Sequence, residues 1–151
     1  MLRPSKKMLF AIEAVLDIAY HAGGEPVQSR EITRRQGIPR RYLEQTLQQL
    51  VRSGVLTGVR GPRGGYRLAR ERRRISVGEI VRVVQATELV EEAQDDLPAS
   101  ELGVEVIRPM WNDLLEEMMK RLDSISVDDM CMKAYQKGIV SEIAQKMDFA
   151  I

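Results

Sequence analysis

Residues 37–69 read GIPRRYLEQTLQQLVRSGVLTGVRGPRGGYRLA, and this stretch decides the fold. Leu43, Leu47, Leu50 and Val51 recur at helical spacing and make one apolar face. Arg40, Arg41, Tyr42, Glu44, Gln45 and Gln48 fall partly or wholly off that face, where they can reach something outside the chain. Gly54 stands just past the last periodic residue, where helices commonly end in a left-handed conformation. Val55, Leu56, Thr57 and Val59 then read as a strand, and Gly61-Pro62-Arg63-Gly64-Gly65 turns the chain back into Tyr66, Arg67 and Leu68. The stretch predicts a basic-ended amphipathic helix followed by a β-hairpin with a basic tip.

Upstream, Lys6 to His21 has helical periodicity. Leu9, Ile12, Val15, Leu16 and Ala19 are expected on its inward face, with Glu13 and Asp17 elsewhere. Gly23-Gly24-Glu25-Pro26 breaks it. Ser29 is the expected N-cap of a short helix from Arg30 to Gln36, and Glu31 suits the dipole of its first turn. Gly37-Ile38-Pro39 then joins two short helices by a tight turn, a helix-turn-helix signature. With the hairpin added, the expected fold is mainly α with a small β-hairpin, a winged helix-turn-helix.

Downstream, Arg70 to Arg74 is a basic connection, and Ser76-Val77-Gly78-Glu79 matches a capping box opening a helix to about Gln85. Residues 87–103 turn acidic and read as a linker or loop. Periodicity returns at Val104, with Ile107, Trp111, Leu114, Met118, Leu122 and Ile125 spaced by three or four and Met110, Leu115 and Met119 widening the stripe. Pro109 either lies in the first turn of this long helix or kinks it. A stripe of this length needs a partner. The expected one is the same helix of a second subunit, the alternative being the chain's own first domain. Ser126-Val127-Asp128-Asp129 opens a further helix ending near Gly138, and the tail from Ile139 either docks or frays. The expected organisation is therefore a winged helix-turn-helix domain over residues 1–86, an acidic linker over 87–103 and a helical dimerisation region over 104–151.

Charge divides the same way. Residues 1–86 carry 17 Lys/Arg against 7 Asp/Glu, a surplus of ten positive charges, while residues 87–151 carry 6 against 15, a deficit of nine. A basic half beside an acidic half points to a polyanion meeting the first and not the second. With 151 residues and 44% apolar content, the chain can bury a core. It has no apolar run of about 18 residues and no apolar signal core at the N-terminus, so a cytoplasmic protein without a membrane partner is expected. The sole cysteine, Cys131, cannot form an internal disulfide, and with the sole histidine, His21, it leaves little for a metal site.

Arg41-Tyr42-Leu43-Glu44-Gln45, Val59-Arg60-Gly61-Pro62-Arg63-Gly64-Gly65-Tyr66-Arg67-Leu68 and Ile75-Ser76-Val77-Gly78-Glu79-Ile80 together resemble the Rrf-type family of bacterial transcriptional regulators. Leu16-Asp17 and residues 122–129 extend the resemblance over nearly the whole chain. It implies a winged helix-turn-helix, a long dimerisation helix and a homodimer on a palindromic operator in double-stranded DNA. Many members hold an iron–sulfur cluster on three cysteines placed between the wing-side helix and the long helix. Residues 85–108 contain neither cysteine nor histidine here. Glu91, Asp95 and Glu101 do not replace thiolates, because such clusters are held chiefly by cysteine sulfur. The chain therefore resembles the cluster-free branch, with no cofactor expected. Control there comes from a protein partner (such as a cysteine-biosynthesis enzyme), a small ligand or a thiol.

The candidate DNA contacts follow. Arg40 and Arg41 open the recognition helix, where guanidinium groups and the helix N-terminus meet phosphates or base edges. Tyr42, Glu44, Gln45 and Gln48 are candidate base readers, since glutamine pairs with adenine and glutamate accepts from cytosine. For Glu44 the alternative is a surface pair with Arg41 or Gln48. At the wing, Arg60 and Arg63 suit a narrow minor groove, and Gly61 and Gly64 allow close approach. Ser5, Lys6 and Lys7 at the first helix, and Arg30, complete the set. Tyr66 is expected to pack, His21 to terminate a helix, and Cys131 to be a buried inert thiol, with a redox sensor as the alternative. No nucleophile–base pair, metal site or phosphate loop can be assembled, so no enzyme is expected; GPRGG between strands is the wrong context for a dinucleotide fingerprint. An interaction adaptor of the same fold is the competing reading, and Arg40, Arg41, Arg60 and Arg63 argue against it.

Overall fold

A computed structural model of the chain describes residues 3–92 and 100–143. Helix α1 (Lys6–His21) is capped by Ser5, whose Oγ accepts the Met8 N–H at 3.1 Å. It is the hub of the domain, packed by the helices before and after the hairpin and by the second strand. Its buried side is Met8, Ala11, Ala14, Val15, Ile18 and Ala19. That side is rotated from the expected one. Leu9 is exposed, Ile12 and Leu16 are only partly covered, and Asp17 is 2% exposed. Two physical reasons account for the rotation. Alanines let neighbouring helices come close, so small residues take the innermost positions, and Asp17 is neutralised by an arginine of the next helix.

Helix α2 (Ser29–Gln36) starts one residue earlier than expected, with Gln28 and not Ser29 as the N-cap. Val27 forms a bridge to Tyr66, with N–H···O distances of 2.9 and 2.8 Å, so the chain leaves an extended segment directly into the helix at Gln28. The Gln28 N–H donates to Glu31 Oε2 at 2.9 Å. Gly37 takes the left-handed conformation (φ 68°) that ends α2. Pro39 then caps α3 (Arg40–Arg52), which buries Leu43, Thr46, Leu47 and Leu50.

Strands β1 (Leu56–Val59) and β2 (Gly65–Leu68) pair antiparallel, Leu56 opposite Leu68 and Val59 opposite Gly65. The tip is packed tightly against backbone: a Cβ at Gly64 would meet the Val59 carbonyl oxygen at 2.2 Å, and one at Gly65 would meet that of Val27 at 2.4 Å.

After a 3₁₀ turn at Arg72–Arg74, Ser76 Oγ accepts the Glu79 N–H at 3.1 Å and α4 (Val77–Glu92) begins. It runs past Gln85, so residues 87–92 of the expected linker are helical. Two tertiary bonds hold this extension: Gln49 Nε2 donates to Thr87 Oγ1 at 3.1 Å, and Ser5 Oγ donates to Glu88. Residues 93–99 of that expected linker lie outside the described residues. Helix resumes at Glu101, passes through a wide π turn at Gly103–Ile107 and continues as α5 (Arg108–Asp123). Pro109 lies in the first turn of α5, and its missing N–H falls where the wide turn passes into the regular helix. Helix α6 (Val127–Gln136) is capped reciprocally: Ser126 Oγ accepts the Asp129 N–H at 3.0 Å, and the Ser126 N–H donates to Asp129 Oδ2 at 2.9 Å.

One apolar cluster joins α1, α2, α3, β1 and α4 with Val127 and Cys131 of α6. Helix α6 thus closes the core built by the first half. The long stripe of α5 divides accordingly. Ile107, Trp111, Leu114 and Met118 are exposed, with Met110 and Leu115 beside them. Leu122 and Ile125, expected on the same outward face, instead pack with Met119 against the core. The cause is that the C-terminal end of α5 lies on α4, where Arg82 and Asp123 form a bidentate pair at 2.6 Å.

Candidate nucleic-acid interface

The outward side of α3 presents Arg40, Arg41, Tyr42, Glu44, Gln45 and Gln48, all exposed, because Leu43, Leu47 and Leu50 anchor the opposite side in the core. Clefts open on two sides of it. One, of about 520 Å³, is lined by Arg30, Arg40, Gly61 and Gly64, and so lies between the start of α2, the start of α3 and the hairpin tip. The other, of about 340 Å³, is lined by Lys7, Tyr42, Gln45 and Gln48 between α3 and the ends of α1 and α4. Arg41 and Glu44 line neither cleft.

Arg60 and Arg63 are exposed on the hairpin, as is Gly61. Gly64 is buried and its N–H donates to the Gly61 carbonyl at 2.9 Å, so it shapes the tip and does not face outward. Ser5 is also engaged inside the chain, as the cap of α1 and the donor to Glu88. Lys6 is exposed beside it. Tyr42 lies against Phe10, with ring centroids 6.3 Å apart, and remains exposed.

Glu44 accepts from Arg40 Nε at 3.0 Å, one turn apart, where the sequence suggested Arg41 or Gln48 as partner. The two side chains are 51% and 82% exposed, so the pair contributes little to stability, about 0.3–0.5 kcal/mol, and can open at small cost. Electrostatically the face is basic at the start of α3, where Arg40 and Arg41 stand beside the one acid, Glu44, and neutral further along at Gln45 and Gln48.

The sequence reading missed a buried ion network beneath this face. Both oxygens of Asp17 accept from Arg35, Nε and one terminal nitrogen each at 2.8 Å, and Gln36 Nε2 adds a third bond at 2.8 Å. Arg35 is held in its charged form by these bonds, burial acting against them. The network ties α2 to α1 and so sets the platform on which α3 sits. A signal was present: Asp17 is three residues from Ala14 and adjacent to Ile18, inside the buried stripe. An acid there requires a cationic partner, and Arg34-Arg35 follow in the next helix.

His21 ends α1, and Glu142 approaches it from the far end of the chain. Cys131 is 2% exposed, and burial pushes its thiol up against the weaker opposing pull of Arg72. A thiol in that condition is a poor nucleophile and a poor ligand.

A family model described as Rrf2, iron-dependent transcriptional regulator, matches residues 4–133. The chain is 34% identical to the HTH-type transcriptional regulator IscR of Xenorhabdus nematophila over 129 residues, covering 85% of this chain and 79% of that one. Among solved structures it superposes on T. potens IscR with a TM-score of 0.74 and 34% identity, covering 93% of each chain. It also superposes on CymR, the global cysteine regulator of B. subtilis, with a TM-score of 0.70 and 25% identity over 88% of this chain and 98% of that one. The iron in the family description raises the question of a cluster. One buried thiol on α6 and one imidazole on α1, already accepting a backbone N–H, do not make a cluster-binding donor set. No helix among the described residues is long and apolar enough to cross a membrane.

Proposed function

The chain belongs to the Rrf2 family of transcriptional regulators, and we propose that it is a sequence-specific DNA-binding regulator, a cytoplasmic homodimeric repressor of a palindromic operator that works without an iron–sulfur cluster. It is not an enzyme, as its relatives are regulators. The observation that carries the reading is the exposed side of α3, with Arg41, Gln45 and Gln48 outward, flanked by the arginine-bearing hairpin. Helix α3 enters the major groove, where Gln45 and Gln48 read base edges and Arg41 meets bases or phosphate. Arg60 and Arg63 reach the neighbouring minor groove or its phosphates. Arg30, Arg40 and Lys7 line the flanking clefts and take backbone phosphates. Glu44 exchanges Arg40 for a cytosine amino group when the right base is present.

Dimerisation rests on the uncovered half of α5. Ile107, Met110, Trp111, Leu114, Leu115 and Met118 recur at helical spacing and are all exposed in the single chain, an apolar stripe of the kind that marks an interaction surface. Leu114→Glu is expected to yield a monomer by sedimentation equilibrium. Trp111, the only tryptophan, reports the same event. Its emission should move to shorter wavelength as wild-type protein associates, and stay at the long-wavelength position in Leu114→Glu. Wild type that sediments as a monomer at all concentrations would refute the dimer.

A cluster-free protein is supported by the donor set. Anaerobic purification should give a colourless protein without visible absorption or stoichiometric sulfide; a brown protein would refute this part. Control through a thiol is disfavoured by the burial of Cys131, which leaves a small ligand or a protein partner as the signal.

A further inference from the structure

Beyond α6 the chain returns to the helix-turn-helix. Tyr20 donates its hydroxyl to the Ile139 carbonyl, and Ile143 packs over Gly23, where an added Cβ would meet it at 3.0 Å. Glu142 makes the central contact. Its carboxylate spans two arginines of α2, with Arg34 at 2.6 Å and Arg35 at 2.9 Å. Arg35 is therefore shared between Asp17 of α1 on one side and Glu142 on the other. The Glu142 N–H donates to His21 Nδ1 at 3.1 Å, which leaves Nε2 facing Asp17 Oδ2 at 3.9 Å.

An Nδ1 that accepts a hydrogen bond carries no proton, so this contact requires neutral imidazole with its hydrogen on Nε2. A proton added at Nδ1 would point at another N–H and break the contact. Among the described residues, the charged groups around the ring are Asp17 on α1, Glu31, Arg34 and Arg35 on α2, and Glu142 itself. The acids favour protonation, but Asp17 is already bonded by Arg35 and Gln36. Burial and the Arg35 charge prevail and hold the ring below its ordinary 6.5.

We propose that residues 139–143 are a strap fastening α2 to the α5–α6 half of the chain, and that uptake of one proton at His21 releases it. Attached, the strap holds the C-terminal turn of α2, and through it the turn into α3. Released, it frees Arg34 and Arg35 from Glu142 and loosens the platform of the recognition helix. That output rests on the DNA-binding reading; the strap itself does not. Since His21 is neutral when strapped and titrates near 6.5 when free, the strap is fully attached above that pH. Its hold is lost as pH falls from there through the lower, strapped value.

His21 is the only histidine, so its ring signals in an NMR titration of the full-length protein read this site alone. The ring should titrate below 6.5, and the Glu142 amide signal should move with the same midpoint. Glu142→Pro and Glu142→Gln both lack the carboxylate, and only the second keeps the N–H donor, so the ring midpoint should lie higher in Glu142→Pro than in Glu142→Gln. His21→Gln, which can accept the same N–H and does not titrate, should make the Glu142 amide insensitive to pH in this range. On DNA, wild-type affinity for the operator should fall several-fold between neutral and mildly acid pH, and that of His21→Gln should fall less. A Glu142 amide indifferent to His21 titration, or equal ring midpoints in Glu142→Pro and Glu142→Gln, overturns the strap. Coupled titration in a protein that retains no DNA contradicts the DNA reading and leaves the strap standing.

Discussion

Asp17→Ala is expected to destabilise the protein by about 3–5 kcal/mol, the usual range for removing one partner of a buried ion pair. The Asp17 side chain is fully buried and Arg35 is 11% exposed, so the substitution strands a guanidinium in the interior with two of its bonds unmade. Glu142 retains its own bond to Arg35, which places the loss towards the lower end of the range. Equilibrium urea denaturation measures it directly, as a lower midpoint at unchanged slope. Glu142→Gln should cost much less, because that carboxylate is 26% exposed and bonds from one side only. A loss under about 1 kcal/mol for Asp17→Ala would mean that the α1–α2 platform does not depend on the network.

The double reversal Arg60→Glu/Arg63→Glu is expected to abolish retention of DNA while leaving the fold intact. Both side chains are exposed and enter no hydrogen bond or ion pair among the described residues, so the thermal midpoint should hardly move. In a dimer the change removes four groove or phosphate contacts. At about 1 kcal/mol each these amount to ~10³-fold in affinity, before the repulsion added by the new carboxylates is counted. Fluorescence anisotropy with labelled duplex gives the result. An adaptor that had kept the fold without reading DNA would bind its partner as before, and the two readings separate on this variant.

The sequence carried the helix-turn-helix and hairpin because they are punctuated by residues with few conformational options. Gly37 and Gly54 adopt left-handed conformations, Pro39 cannot sit inside a helix, and Gly64 and Gly65 fit where a Cβ would strike backbone. What depended on which elements meet was less legible. Periodicity alone placed Leu9 inward and Asp17 outward, whereas the neighbours of α1 chose its alanines and the Asp17–Arg35 pair. Helix α4 outran its apolar pattern because its final turns are held by single polar bonds to Ser5 and Gln49, which leave no periodic trace. The α5 stripe was read as continuous through Leu122 and Ile125. Spacing cannot tell an apolar residue facing the chain's own core from one facing outward. The docking of Glu142 joins residues 121 positions apart, and nothing local announces it.

The exposed basic face was legible in composition and less so in detail. Arginines and glutamines off an apolar helical face announce themselves, but their division between two clefts, the Arg40–Glu44 pairing and the burial of Gly64 depend on how α2 and the hairpin sit beside α3.

The central claim is that the basic face of this fold binds duplex DNA as a dimer, and its most direct test is the salt dependence of that binding. Duplexes selected from random sequence by the wild-type protein should be palindromic, with half-sites about one helical turn apart. Affinity for them should fall linearly in log–log form as salt rises, with a slope corresponding to roughly six or more released counterions. Binding that is indifferent to salt, or selection that returns no common sequence, would contradict it.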